Sequence, residues 1–476
     1  MRKFLHFTAA DGWFGDPMPL WHDGIYHIYY TKRFPAPSDD ERDMIGWGHI
    51  SSPDLLHWTE HPDPFVHGTS DTPFNTGCVY YGKGRFHAFF AGRDESGGHI
   101  MLRAESTDGI CFGKSTVALP APPPPYRPAS AFRDPVVVWD PDARLYRMLF
   151  CCRSLDSADG ISVFSGIVAQ ALSTDLVHWE YSEPLSLTGV ASSMECPDLF
   201  RDGERWILIY YWHETRFRHS TSINGPYSRA RVLSPDHFDF MAARQMYDGT
   251  HRYLIGWLPR RSCDCGERIW GGHMLYPREL TIDGDGNPQT RFARSLWDLF
   301  SVPYPLPEPK PDLSAGKSGA YQVWDGGYTL SAPNGGAMIW YPAMPEPYAM
   351  RFSFSLSSAN GTLTLLIACG TAYGETSLDT GFLVLFDAAE GMVRLRRHYM
   401  WDQRPDIAVI PWHCTTGEEC PVELIVDSGI LELSVGGRET LVSRLLPYAP
   451  GGFGISVQDA RATIADLAVY TLPEPK

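Results

Sequence analysis

The chain has 476 residues, too many for one ordinary domain and suited to two or three. Hydrophobic residues make up 43% and charged residues 20%, a globular balance that argues against disorder. The formal charge of −16, without any long basic run, argues against nucleic acid and anionic membranes as partners. Fifteen Trp and 23 Tyr suit sugar rings, and they suit β-sheet packing, which accounts for most of them.

The N-terminal run "MRKFLHFTAADGW" has no apolar stretch of signal-peptide length, and no run reaches membrane-spanning length. A cytoplasmic location is the expectation. The ten cysteines fit it: Cys151-Cys152 and Cys263-x-Cys265 are not zinc spacings, and no disulfide framework is visible, so they read as reduced structural thiols. No metal and no cofactor is expected.

One pattern then repeats along the chain. Turn residues, often Asp-Gly, precede an aromatic that opens an alternating strand: "HDGIYHIYY", "GKGRFHAFF", "DPDARLYRMLF", "RDGERWILIYY" and "YDGTHRYLIGW". The aligned aromatics are Tyr26, Phe86, Tyr146, Trp206 and Tyr253, spaced by 60, 60, 60 and 47 residues. Between copies lie "SSPDLLHW" and "LSTDLVHW", with weaker echoes "ESTDGICF" and "TSINGPY"; His57 and His178 belong to this second repeat and read as structural. Short strands at this period, with almost no helical periodicity, predict an all-β chain whose residues 1–302 form a five-bladed β-propeller. The Pro-rich "SVPYPLPEPKPDL" predicts a stiff linker over 303–315. Alternating strands beyond it, such as "YAMRFSFSLS" and "VELIVDSGILELSV", predict a β-sandwich over 316–476.

Asp16, in "GWFGDPMPL", is by itself an Asp-Pro turn residue. The repeat changes that reading. Ten to twelve residues before each aligned aromatic stand Asp16, Asn75, Asp134, Glu195 and the "AAR" that ends at Arg244. These segments predict the innermost strand of each blade, so three carboxylates are expected to converge at one mouth of the channel. As structure they are costly, because like charges repel where water is partly excluded. Calcium is the main rival use, but no further clustered oxygen ligands accompany them. Paired carboxylates suit glycoside cleavage, in which one is ionised and the other keeps a proton for the leaving oxygen. Glu195, the longer side chain, reads as the acid, its proton held by the negative field of Asp16 and Asp134. Candidate sugar-stacking aromatics are Trp13, Trp47, Trp212 and Trp270. The loop "LPAPPPPYRPAS" reads equally as a pocket border or as stiff packing.

At these residues the sequence resembles glycoside hydrolase family 32, the invertase, inulinase and levanase family. "HFTAADGWFGDP" resembles its nucleophile segment, "FRDP" its arginine-aspartate-proline motif and "ECPDLF" its glutamate-cysteine motif; "GWGHISSPDLLHW", "AARQMYDG", "MLYPRELTI" and the C-terminal "ELIVDSGILELSVGGRETLVSR" also resemble family segments. The resemblance implies Asp16 as nucleophile, Asp134 as transition-state stabiliser and Glu195 as acid/base of a retaining mechanism, with Arg133 orienting carboxylates or substrate hydroxyls. It implies an oligosaccharide or disaccharide substrate with a β-fructofuranosidic bond. In that mechanism the carboxyls of Asp16 and Glu195 stand about 5 to 6 Å apart. The chain departs from the family around the sugar. Gly15 and Met18 stand where asparagines usually flank the nucleophile, Thr31 or Lys32 stands for a glutamine, and "FNTGC" replaces a serine-rich segment. Sucrose is therefore expected to be a poor substrate unless Lys32, His49 or Asn75 supplies the missing contacts. Two rival readings are a fructosyltransferase, including one forming difructose anhydrides, and a non-catalytic carbohydrate-binding propeller; the latter predicts loss of a carboxylate, and none is lost.

Overall fold

The computed structural model describes residues 2–3, 5–34, 44–66, 75–93, 98–120, 126–127, 131–154, 166–187, 193–234, 239–262, 267–312, 319–324, 326–370, 380–399 and 406–473. They fall into two compact units that meet in the chain at Pro288–Gln289.

The first unit is a propeller of five antiparallel blades. The first blade runs Trp13–His22, Ile25–Phe34, Met44–Ser52 and His57–Glu60 from channel to rim. The second runs Gly77–Gly82, Arg85–Arg93, His99–Ser106 and Thr116–Leu119. The third runs Arg133–Asp140, Leu145–Ser154, Gly166–Ser173 and Glu180–Leu187. The fourth runs Glu195–Asp202, Arg205–Trp212, Glu214–Ser220 and Arg231–Ser234. The fifth holds Met241–Tyr247, Arg252–Arg261, Arg268–Met274 and Arg278–Ile282. The first strands of neighbouring blades touch in a closed ring, one to two and onward to five and back to one.

Both sequence repeats have a physical cause. The inner hairpins of the first two blades turn on two residues of positive φ, Asp23-Gly24 (48° and 79°) and Lys83-Gly84 (53° and 77°), the geometry a tight hairpin needs. The aromatic after each turn packs across to the adjacent blade: Tyr26 meets Tyr253 edge-on at 5.8 Å, Phe86 meets His22 at 5.1 Å, and Tyr146 meets Tyr80 at 5.7 Å. The second repeat is a side-chain-closed turn. Asp54 accepts the amides of Leu56 and His57 and pairs with the His57 ring at 2.8 Å; Asp175 does the same for Val177, His178 and the His178 ring at 2.7 Å. His57 and His178 thus hold turns. Apolar clusters fill the gaps between blades, such as Met18, Tyr29, Trp47, Val79 and Phe90 between the first two.

The second unit is a β-sandwich around one large core that includes Leu330, Phe352, Phe354, Leu365, Phe386, Leu433 and Ile455. The 20-residue strand Gly452–Thr471 pairs with Gly327–Tyr341, Tyr348–Leu356 and Thr362–Gly370. The Pro-rich stretch read as a linker joins this unit where it is described. Val302–Tyr304 pairs with Gly452–Thr471, and Lys310–Asp312 pairs with Gly327–Tyr341. Proline is tolerated here because these are short edge strands. The cysteines described are free thiols. No described helix is long and apolar enough to cross a membrane.

Candidate active site

In four of the five inner strands the ladder slips by one residue at the same end: between Phe14 and Pro17, Arg133 and Val136, Glu195 and Asp198, and Met241 and Arg244. Such a bulge bends the strand and re-aims its side chains. Its first residue has positive φ in three blades, Asp134 at 59°, Cys196 at 46° and Ala242 at 48°; in the first blade that place belongs to Gly15. The register corrects the expectation that the three carboxylates share one repeat position. Asp16 is the second bulge residue of its blade, Asp134 the first of its own, and Glu195 the paired residue just before. The bulges bring them together all the same: the charges of Asp134 and Asp16 both act on Glu195, and that of Asp134 on Asp16.

Asp16 is clamped by two donors. Trp257 Nε1 donates to its Oδ1 at 2.9 Å and Thr76 Oγ1 to its Oδ2 at 2.5 Å. Burial pushes its carboxyl above the usual range, with the Asp134 charge adding to the rise, while both hydrogen bonds favour the ionised form. Asp134 is buried, and its Oδ2 accepts the Cys196 amide at 3.1 Å. Arg133 bridges the other two blades: its Nη2 donates to Glu195 Oε1 at 2.6 Å, and its Nε lies 3.6 Å from Asp134 Oδ2. Glu195 keeps a third of its side chain exposed. Burial is the main cause lifting its pKa; Arg133 opposes the rise, and Asp134 and Asp16 add to it. Burial thus lifts both carboxyls, and they differ in partners and access: neutral donors fix Asp16, whereas Glu195 faces Arg133 and keeps contact with solvent. That asymmetry is what acid-assisted displacement needs.

Behind the carboxylates, Arg244 of the fifth blade is 2% exposed. Its guanidinium donates to the carbonyls of Gly77, Pro135 and Asp134 at 2.5, 3.3 and 3.1 Å, tying three inner strands together beneath the bulge that carries Asp134. Asp198, also buried, accepts the Gln245 amide at 2.7 Å and answers the Arg244 charge.

The candidate sugar contacts divide. Trp47 is not a platform. It is fully buried between two blades, and its Nε1 donates to the Asn75 carbonyl at 3.0 Å. Trp13 is half-buried under the Arg260 guanidinium, 4.0 Å from its ring. Trp212 is half-buried at the end of its strand against His213. Trp270 stands beside the nucleophile candidate, edge-on to Trp257 at 5.5 Å. A Cβ on Gly15 would lie 2.4 Å from the Trp270 ring and 2.6 Å from Thr31 Oγ1, so the indole occupies the space a side chain at position 15 would need. Of the proposed replacements, Lys32 is held by Asp11 and Asp63 at 2.8 Å each, and His49 is buried in a stack of imidazoles with His27 and His61. Asn75 alone stays half-buried next to the Asp16 clamp. Met18 faces the core, its sulfur accepting the Gly77 amide at 3.1 Å. Sequence reasoning missed Thr76 and Trp257 as partners of Asp16; each sat inside a segment already singled out, "FNTGC" and "YDGTHRYLIGW", without a cue to its role. Of the loop "LPAPPPPYRPAS", residues 121–125 and 128–130 lie outside the described residues.

With this geometry in hand, comparisons fix the class. Residues 6–291 match the model of the glycosyl hydrolases family 32 N-terminal domain, and the chain belongs to that family. It is similar to a sucrose-6-phosphate hydrolase of Escherichia coli, 27% identical over 317 residues that cover 58% of this chain and 61% of the relative. It is also similar to a β-fructofuranosidase, insoluble isoenzyme 5, of Oryza sativa subsp. japonica, 28% identical over 60% of this chain and 52% of the relative. The match therefore spans between half and two thirds of these relatives' length. Among solved structures, fructan 1-exohydrolase IIa from Cichorium intybus aligns over 100% of this chain and 98% of its own at a TM-score of 0.72 and 17% identity. Exo-inulinase from Aspergillus awamori aligns over 99% and 98% at 0.71 and 19%. These likenesses carry the fold, a five-bladed propeller followed by a sandwich.

Proposed function

We propose that the protein is a retaining glycosidase that cleaves β-fructofuranosidic bonds in fructans, fructo-oligosaccharides or related furanosides. The observation that carries this reading is the pairing of unlike carboxyls, Asp16 fixed by the neutral donors Thr76 and Trp257, and Glu195 reached by solvent and paired with Arg133. In the first step an Asp16 oxygen attacks the anomeric carbon, the glycosidic C–O bond breaks, and Glu195 gives its proton to the departing oxygen. In the second, Glu195 takes a proton from water, the water oxygen bonds to the anomeric carbon, and Asp16 leaves as carboxylate. Asp134 and Arg133 hold substrate hydroxyls and stabilise the oxocarbenium-like charge. The E. coli relative is named for sucrose 6-phosphate and the rice relative for β-fructofuranosides, but the surroundings of Asp16 offer few contacts to a fructosyl unit. Gly15 offers no polar contact, Met18 faces the core, and Lys32 and His49 are engaged elsewhere. Each missing hydrogen bond to a sugar hydroxyl costs about 1 to 3 kcal/mol. Asn75, half-buried beside the Asp16 clamp, is the one proposed replacement left to supply a contact; unless it does, sucrose is a poor substrate, and inulin or levan oligosaccharides, difructose anhydrides and aryl furanosides are the compounds to compare with it. The test is a turnover screen of these compounds with product identification. No release of fructose from any of them contradicts the proposal, and efficient sucrose hydrolysis to which Asn75 contributes no contact contradicts the pocket argument.

A further inference from the structure

The sandwich unit contains a cleft of about 960 Å³ that no part of the reaction above uses. This is at the upper end of the size of small-molecule sites, about 300 to 1,000 Å³. Its lining combines three features. Ser353 is 7% exposed, and its buried hydroxyl has no hydrogen-bond partner. A buried hydroxyl without a partner is costly, and a ligand hydroxyl would satisfy it. Beside it stand a donor and an acceptor held in place. The Arg351 guanidinium lies 4.9 Å from the Trp297 ring and 5.2 Å from the Tyr470 ring, and Glu423 accepts Trp297 Nε1 at 2.9 Å.

The third feature is an aromatic platform. Trp324 ends the strand Ala320–Trp324, pairs with Gly327 across the hairpin, and stays 40% exposed. A Cβ on Gly327 would come within 2.7 Å of the indole Cζ2, so the glycine lets the ring lie down over the returning strand. An exposed tryptophan in one cleft with fixed donors and acceptors suits a ligand with one apolar face and many hydroxyls. The charged groups are of both signs, Arg291 and Arg351 against Glu419, Glu423 and Asp466, and favour neither a polyanion nor a polycation.

We propose that this cleft is a second, non-catalytic binding site for a neutral oligosaccharide, of the furanoside class assigned to the propeller. The identity of the sugar rests on that assignment; the site itself rests on the cleft. The test is affinity electrophoresis of the full chain, silenced by Asp16→Asn, in gels containing inulin, levan or xylan. Inulin or levan retards the protein. Trp324→Ala weakens that association about tenfold, and Ser353→Ala about fivefold. Ser353→Ala does so without lowering the melting temperature, because the hydroxyl it removes is unpaired. In the active background, both variants keep kcat/KM on a short furanoside within about twofold of wild type, a ratio far below the tenfold that 1.4 kcal/mol represents. Unchanged retardation of both variants overturns the site, even where the wild type cleaves furanosides normally. Retardation by xylan alone, lost in Trp324→Ala, keeps the site; absence of all furanoside turnover overturns the reaction assignment separately.

Discussion

The inner strands of the third and fifth blades break register in the same way, and the first residue of each bulge has positive φ, Asp134 at 59° and Ala242 at 48°. In the third blade that residue is a buried carboxylate that accepts the Cys196 amide and faces Arg133. In the fifth it is a methyl, and two residues later Arg244 reaches back to the carbonyls of Asp134, Pro135 and Gly77. The bulge is therefore a backbone device independent of the side chain it carries. Chemistry was placed on it in one blade and support for the neighbouring strands in the other. The first and fourth blades show the same separation, with Asp16 second in its bulge and Glu195 on the paired residue just before its own.

If backbone and chemistry separate in this way, Asp134→Ala must fold, since Ala242 already holds the same conformation. We expect turnover to fall about 10²- to 10³-fold. The stability loss is near that of one hydrogen bond, about 1 kcal/mol, read from thermal unfolding. A variant that fails to fold breaks the comparison. Arg244→Met should show the reverse balance. It leaves three carbonyls without their donor and the buried Asp198 without the stronger of its two countercharges, for a loss of about 3 kcal/mol or more. Turnover of the protein that remains folded should fall less than in Asp134→Ala; an equal or larger fall makes Arg244 part of the chemistry.

The first blade sharpens the comparison with a smaller effect. Gly15→Asn forces its Cβ into the Trp270 ring and should cost about 1 to 3 kcal/mol. Combining it with Trp270→Ala should recover much of that loss, a non-additivity read in a double-mutant cycle. Additive losses contradict the claim that the indole fills the space of residue 15. The smallest effect is on pH. Asp134 raises the pKa of both Asp16 and Glu195. Removing its charge lowers both, so Asp134→Asn shifts the acidic and the basic limbs of its residual kcat/KM profile toward lower pH. A shift toward higher pH contradicts the charge coupling among the three.

Much of this fold is legible in the sequence because its signals are local. The aromatic after each turn and the Asp-closed turns follow from short-range geometry, and each recurs with the blade period. The three carboxylates were legible for the same reason, although not their places on the bulge, since pairing register depends on the partner strand. What failed was long-range. Trp47 lies on a strand where sequence does not say which face meets the next blade, and it became core. The partners of Asp16 are Thr76 and Trp257, 60 and 241 residues away. Lys32 and His49 were plausible sugar contacts until their own partners, Asp63 and His27, were in view. The Pro-rich stretch read as a linker because proline suggests stiffness, not pairing on a sheet edge.

The central claim is that Asp16 attacks the sugar and Glu195 serves as acid and base. Glu195→Gln lacks the group that activates water in the second step, so an activated β-fructofuranoside should load the enzyme faster than water unloads it. Acid quenching, proteolysis and mass spectrometry of this variant should then find one fructosyl unit in ester linkage on the peptide that contains Asp16, and added azide should discharge it. A fructosyl group on Asp134, or the absence of any adduct together with inverted product, contradicts the account.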